Sequence, residues 1–249
     1  MEELKSRSSA LASQALLDGK QEFVVQEPAE GLLERTQAVF DRGKLIAIHG
    51  YRQMAEGLGG GDIAKLSVSR SAVSDYVERL GQQLQWHGAL SLDYVCQEGG
   101  QVPLFIDANP CLVEPMNAAL SGVNLADILV QVSTGEPIAI AKPAAPPVRT
   151  HMLLMGLLSA ADARKKRVDI VIELMRAIAG RDLYAESQEE LLPVQMDFKC
   201  LIPLTYALLR LLLRPKSARA LSARSIASYS LTPTAARQTA DLSSTTGGP

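Results

Sequence analysis

The chain has 249 residues, 47% of them hydrophobic and 21% charged, with 25 Lys and Arg against 27 Asp and Glu and a formal net charge of −2. That length allows one large or two small domains around a sizeable core. The lack of a basic excess, with aromatics at only 4%, excludes a nucleic-acid partner held by phosphate neutralisation or base stacking.

In chain order, residues 2–18 read as a helix, because Leu4, Leu11, Ala15 and Leu16 recur near helical spacing before Gly19. Phe23–Gln26 reads as a short apolar strand closed by Pro28 and Gly31. Thr36–Phe40 and Lys44–His49 flank Asp41-Arg42-Gly43, the pattern of a hairpin. Gly57–Gly61, GLGGG, is a flexible loop; no GK[ST] follows it, so it is weak as a phosphate loop. Ser71–Gln85 reads as a helix with Val73, Val77, Leu80 and Leu84 on one side. Ala89–Val95 and Val102–Asp107 read as strands joined by a turn at Glu98-Gly99-Gly100. Residues 122–133 form a further helix ended by Gly135.

The clearest composition break is KPAAPPV, Lys142–Val148. It divides the chain into an α+β part at 1–140, a proline-rich linker at 141–148 and a helical region at 149–230. Helices are expected over 151–180, 199–213 and 215–228. From about Thr232 the residues are polar and small, so 231–249 is expected to form an unpacked tail. The most apolar stretch, Cys200–Leu213, is interrupted by Pro203 and Arg210 and is shorter than the roughly 20 residues that span a bilayer. With no wide basic face opposite, a buried core helix is expected there, and no membrane partner. The start, MEELKSRSSALASQ, lacks the apolar core of a signal peptide. Three widely spaced cysteines, Cys96, Cys111 and Cys200, fit neither a disulfide framework nor a zinc site. The expected compartment is the cytoplasm.

The stretch that carries chemistry is Trp86–Pro115, WHGALSLDYVCQEGGQVPLFIDANPCLVEP. Asp93 lies near the end of one strand, and Asp107 and Asn109 at the end of the next. Asp107 and Asn109, two apart, share a face if the strand continues. Two carboxylates and an amide oxygen converging at strand ends make a hard oxygen cluster of the kind Mg²⁺ favours. Against this stands the plain alternative of solvated turn residues. Each acid ends a strongly apolar strand, ALSL or PLFI, where an idle charge is costly. His49 and His151 have no partners at metal spacing, His87 is expected to pack at a helix-to-strand junction, and Cys111 has no sequence-local base.

These residues resemble a known family. GALSLDYV followed by FIDANP is similar to the metal-binding signature of the ATP-grasp superfamily, whose members include biotin carboxylase and D-alanine–D-alanine ligase. The resemblance covers roughly residues 2–140. It implies ATP and Mg²⁺ (or Mn²⁺) as cofactors, with Asp93, Asp107 and Asn109 as metal ligands. It places an adenine-reading hinge at Gln26, Glu27, Pro28 and Ala29, a ribose-binding acid at Glu34 and a phosphate-contacting catalytic Arg52. The activity implied is a ligase that activates a small-molecule carboxylate as an acyl phosphate for attack by an amine or thiol, in a chain free to form a homo-oligomer. Two departures stand out. Cys111 occupies the place of the arginine that follows Asn-Pro in the family, which removes a donor to transition-state charge. The family's N-terminal region with its nucleotide-gripping lysine does not fit before Glu2, and Lys5 and Lys20 lie in the wrong context. The chain is therefore expected to be an N-terminally truncated ligase fragment or an inactive remnant serving binding or assembly.

Overall fold

The computed structural model describes residues 28–96, 102–138, 147–164, 166–192, 194 and 197–229. The expected helix at 2–18, the strand at 23–26, the turn at 98–100, most of the linker and the tail lie outside them. The chain divides into two units, 1–30 and 31–249. The second unit carries every element described here.

That unit is α+β. Its strands are β1 (Leu32–Asp41), β2 (Lys44–Glu56), β3 (Asp62–Val68), β4 (Gly88–Cys96), β5 (Leu104–Asn109), β6 (Arg149–His151) and β7 (Ser187–Glu189). They form one sheet in the order β5-β4-β1-β2-β3-β6-β7. All pairs are antiparallel except β6–β7, which is parallel. The helices are α1 (Ser71–Leu84), α2 (Met116–Leu120), α3 (Leu125–Thr134), α4 (Leu153–Arg164), α5 (Arg167–Ile178), α6 (Leu201–Leu213) and α7 (Ala218–Tyr229).

The expected hairpin forms with Asp41 opposite Lys44. Its two turn residues, Arg42 (φ 46°) and Gly43 (φ 86°), are both left-handed, as a two-residue turn matched to strand twist requires. The turn is tied down by the Gly43 N–H, which donates to the Trp86 carbonyl at the end of α1 (2.7 Å). α1 rides directly on β1. Gly81 faces Phe40 so closely that a Cβ there would lie 2.0 Å from the ring. On this side Val73 and Val77 pack with Ala38, Phe40, Leu90 and Leu92. On the other side of the sheet, Val39 packs with Val123, Leu125 and Ile128 from the α2–α3 region. The Asn124 side chain caps α3 by accepting from the Asp127 N–H, and Gly135 (φ 72°) stops it as expected.

Four elements were not expected. β3 follows the glycine loop directly, α2 is a single short turn, and β6 and β7 are three residues each. β6 carries Arg-Thr-His, with no apolar pattern to announce a strand. Because β6 pairs with β3, the sheet continues on the far side of the proline-rich segment, and the region after it is not purely helical. The 151–180 span holds two helices, α4 and α5, that pack together with α6 around Leu157, Leu158, Ala161, Ile170 and Leu211. The expectation of a buried core helix at 200–213 is corrected: within α6 only Leu211 is fully buried. No described helix is long and apolar enough to cross a membrane.

Candidate functional site

Strand register builds the site. β4 and β5 pair so that Asp93 stands opposite Asp107, and Ser91 opposite Asn109. Partners across a ladder share a face, so all four side chains project from one side of the sheet. Asn109 Nδ2 donates to Asp107 Oδ2 at 2.8 Å. One strand further in, Arg35 lies opposite Asp93 on β4 and opposite Tyr51 on β2. Its Nε donates to Asp93 Oδ2 at 3.1 Å, and its Nη1 reaches both oxygens of Asp62 at 2.6 and 2.8 Å. Gln53 donates to Asp62 from the other side.

The polar row continues across the sheet. Lys65 on β3 is 1% exposed, lies over the Tyr51 ring at 5.0 Å, and donates to Glu114 (2.7 Å) and Glu190 (2.8 Å). Glu190 also accepts from the Thr150 hydroxyl, Thr150 accepts from Asn117 Nδ2 (2.6 Å), and Asn117 Oδ1 meets His49 Nε2 at 2.7 Å. Four carboxylates (Asp62, Asp93, Glu114 and Glu190) thus share two cations, Arg35 and Lys65, and a fifth, Asp107, stands opposite Asp93. Such a row is electrostatically open to a further positive charge.

Proton affinities reflect this. Burial pushes the Asp93 carboxyl above its ordinary range; Arg35 pulls it back only in part, and Asp107 and Asp62 push it further up. Burial likewise raises Glu190 against the pull of Lys65. Burial weakens the charge on Arg35, but Asp62, Tyr51 and Asp93 outweigh it and hold the guanidinium protonated more firmly than usual. His49 is pushed down, first by burial and also by Lys65.

The structure separates the other expected site residues from this row. Glu34 and Arg35 are neighbours on β1, so their side chains leave opposite faces. Glu34 is fully buried and faces Arg52 and Tyr94 across the ladder. Its oxygens accept from Arg52 (2.8 and 2.9 Å), Arg70 (2.7 and 2.9 Å) and the Tyr94 hydroxyl (3.0 Å). Those three donors outweigh the effect of burial and hold its carboxyl below the ordinary range. Glu34 and Arg52 therefore bind each other, on the face away from Asp93 and Asp107, and neither is brought to the paired acids. Pro28 is exposed and Ala29 half-buried; Gln26 and Glu27 lie outside the described residues. Cys111 is exposed, and its carbonyl accepts from the Ser91 hydroxyl (2.6 Å).

Sequence reasoning missed Arg35, Asp62 and Lys65. It weighed only Lys5 and Lys20 as lysines, whereas Lys65 stands on the same face of the sheet as the paired acids, held by Glu114 and Glu190. The available signal was a lone lysine inside an apolar strand, IAKLSV.

Among the described residues, no group of three or more His, Cys, Asp or Glu side chains is arranged to hold a metal ion. The Asp93–Asp107–Asn109 set nevertheless fits Mg²⁺ in kind, since it offers hard oxygens from two register-paired acids and an amide. Arg35 engages Oδ2 of Asp93 and leaves Oδ1 for another partner.

No family model matches the sequence, and no curated protein does. Solved structures do show partial likenesses. The N5-carboxyaminoimidazole ribonucleotide synthetase of Thermus thermophilus matches at 16% identity over 58% of this chain and 41% of its own, with a TM-score of 0.42. The ATPase subunit of phosphoribosylaminoimidazole carboxylase from Aquifex aeolicus matches at 17% identity over 53% of this chain and 42% of its own, TM-score 0.41. The biotin carboxylase domain of the Hydrogenobacter thermophilus 2-oxoglutarate carboxylase, solved with MgADP and bicarbonate, matches at 12% identity over 49% of this chain and 29% of its own, TM-score 0.41. The chain spans less than half the length of each of these proteins.

Proposed function

We propose that this chain carries the cation- and phosphate-facing part of an ATP-dependent ligase site, acting on a small-molecule carboxylate and an amine or thiol. The observation that supports this most is the register pairing of Asp93 with Asp107, with Asn109 beside them, on a face with more carboxylates than cations. The resemblance of GALSLDYV and FIDANP to the ATP-grasp signature supplies the reaction class. In that chemistry a substrate carboxylate oxygen attacks the γ-phosphorus and ADP departs with the bridging oxygen. The amine or thiol then attacks the acyl carbon, and phosphate leaves as the C–O bond breaks.

Asp93, Asp107 and the Asn109 amide oxygen would hold Mg²⁺, or Mn²⁺ in its place. When bound, the ion neutralises charge on the phosphates and on the transferring group. Arg35 fixes Asp93 in place by one oxygen, and Asp62 and Gln53 fix Arg35. Lys65 keeps Glu114 and Glu190 from repelling one another at the far end of the row. The backbone of Gln26–Ala29 would read adenine. Glu34, with its oxygens taken by Arg52, Arg70 and Tyr94, holds the strands together in place of meeting ribose.

A second reading, a non-catalytic remnant that binds without turnover, is favoured by Cys111 and by the engagement of both row cations with the chain's own acids. One experiment addresses both. Thermal unfolding is followed with ATP, with and without Mg²⁺, in the natural chain and in Asp93→Asn/Asp107→Asn, alongside carboxylate-dependent ADP release. A Mg²⁺-dependent stabilisation lost in the double variant is expected. Saturation at 100 times the dissociation constant would add about 2.7 kcal/mol, and weak millimolar binding much less. A shift that is equal without Mg²⁺, or that survives the double variant, overturns the assignment. Stabilisation without ADP release selects the remnant.

A further inference from the structure

Helix α6 is apolar on most sides, yet the described residues cover only one side of it. Leu204, Leu208, Leu211 and Leu212 pack inward with Leu157, Ile170 and their neighbours. The outer side extends the turn before the helix: Phe198, Ile202, Tyr206, Leu209 and Leu213 recur every three or four residues. They are 72%, 71%, 61%, 55% and 71% exposed. Single exposed apolar residues are ordinary, but five large ones in line mark an interaction surface.

The charges beside this stripe are mostly positive, four cations against the single acid Asp197. An open groove on the helix is lined by Tyr206, Leu209, Arg210, Leu213, Arg214 and Ser217, so two guanidinium groups lie within the apolar surface itself. Lys199 precedes the helix and Lys216 follows it. Among the described residues no carboxylate pairs with any of these four cations; Arg210 donates to the Tyr206 hydroxyl at 3.2 Å. Asp197, the one acid between 197 and 217, caps the Lys199 N–H. A second copy of the chain would bring four more cations to the stripe and only one more acid, Asp197, to answer them, an unfavourable charge balance. A surface that is apolar at its centre and negative at its rim complements the stripe.

We propose that the outer side of α6 docks the protein reversibly on an anionic lipid bilayer surface. Phe198, Ile202, Leu209 and Leu213 enter the boundary between headgroups and acyl chains, with the helix parallel to the membrane. Tyr206 places its ring in that layer and its hydroxyl toward water. Arg210, Arg214, Lys199 and Lys216 meet lipid phosphates and carboxylates. The proposal is independent of the ligase reading, since none of these residues belongs to the polar row.

The test is sedimentation of the full chain with vesicles of phosphatidylcholine alone, or of phosphatidylcholine with about one part in three phosphatidylserine. Binding to the anionic vesicles is expected, with little to the neutral ones, and with strong weakening at about 0.5 M salt, where screening shortens to roughly 4 Å. Each basic residue at such a surface is worth roughly fivefold in partitioning, so Arg210→Gln/Arg214→Gln should weaken binding roughly 30-fold. Ile202→Ser/Leu209→Ser should weaken it roughly tenfold or more. Circular dichroism checks that both variants, changed at exposed or half-exposed positions, stay folded. Absence of binding to anionic vesicles at low salt, or equal binding to neutral ones, overturns the proposal. So does a concentration-dependent dimer that Leu209→Ser abolishes while vesicles are ignored, because that outcome assigns the stripe to a second copy.

Discussion

Two ionic clusters sit back to back on β1, one residue apart. Glu34 has more cations than it needs: Arg52 and Arg70, with Tyr94 as a third donor, surround one fully buried carboxylate. Arg35 has more anions than it can satisfy: Asp62 and Asp93 bind it directly, and Asp107 stands opposite Asp93. The first cluster is closed, because every oxygen of its carboxylate is taken. The second keeps oxygens free and a negative balance. A closed buried pair ties strands together; an unbalanced, half-exposed row can take a ligand.

The comparison is broken most directly by Glu34→Gln. Removing that charge leaves two guanidinium groups and a phenol facing a neutral amide. Breaking a buried pair costs about 3–5 kcal/mol, and the partial exposure of Arg52 and Arg70 brings the expected loss to about 3 kcal/mol. The midpoint of urea unfolding reads it directly. A loss below about 1 kcal/mol, the ordinary value of one neutral hydrogen bond, would show the cluster to be no tie at all. Asp93→Asn should behave differently. Arg35 keeps both oxygens of Asp62, and one anion leaves a crowded group, so stability should move by no more than about 1 kcal/mol. A large loss on urea unfolding would place Asp93 with the structural ties and remove it from the ligand-binding face.

The smallest effect concerns acid. Burial holds His49 neutral in the fold, below the ordinary imidazole value of 6.5. Above that pH neither state carries its proton. As pH falls below 6.5 the unfolded chain takes up a proton that the folded chain refuses, so stability falls. His151 acts in the same direction. Asp93 and Glu190, raised in the fold, act oppositely: what they contribute is present at low pH and lost as pH rises through their folded values. Unfolding profiles between pH 7.5 and 5.5 (about one unit to either side of the imidazole value) should therefore be shallower in His49→Gln than in the natural chain. Parallel profiles would mean that His49 is free to charge in place.

Much of the local structure was legible. Asp41-Arg42-Gly43 announced the hairpin, Gly135 a helix stop, and the ALSL and PLFI strands the placing of Asp93 and Asp107 on neighbouring strands; that the turn has two residues and that the acids stand directly opposite each other came from the register. What stayed hidden depends on register. Nothing local distinguishes Arg35 from a solvated strand residue, because its partner Asp62 arrives only when β2 and β3 have folded alongside. Glu34 looked available for ribose because its three donors come from β2, β4 and the residue that precedes α1. α6 read as buried because an apolar run with no wide basic face opposite is expected to sit in a core. Whether anything covers the outer side is decided by tertiary packing.

The attachment of β6 to β3 has a consequence for how the chain is made. Ala64, Lys65 and Leu66 wait for His151, Thr150 and Arg149, which leave the ribosome much later. At synthesis rates of about 5–20 residues per second, β3 spends several seconds as a bare edge with its N–H and C=O groups unpaired. Such an edge invites pairing with a neighbouring nascent chain. Lys65, in the middle of that strand, carries a charge that a foreign strand would have to desolvate, a common natural guard on open edges. Once Thr150 and Glu190 arrive, the same ammonium is sealed inside by its carboxylate partners. Lys65 would thus serve twice, as a deterrent while the sheet is incomplete and as a buried tie when it closes.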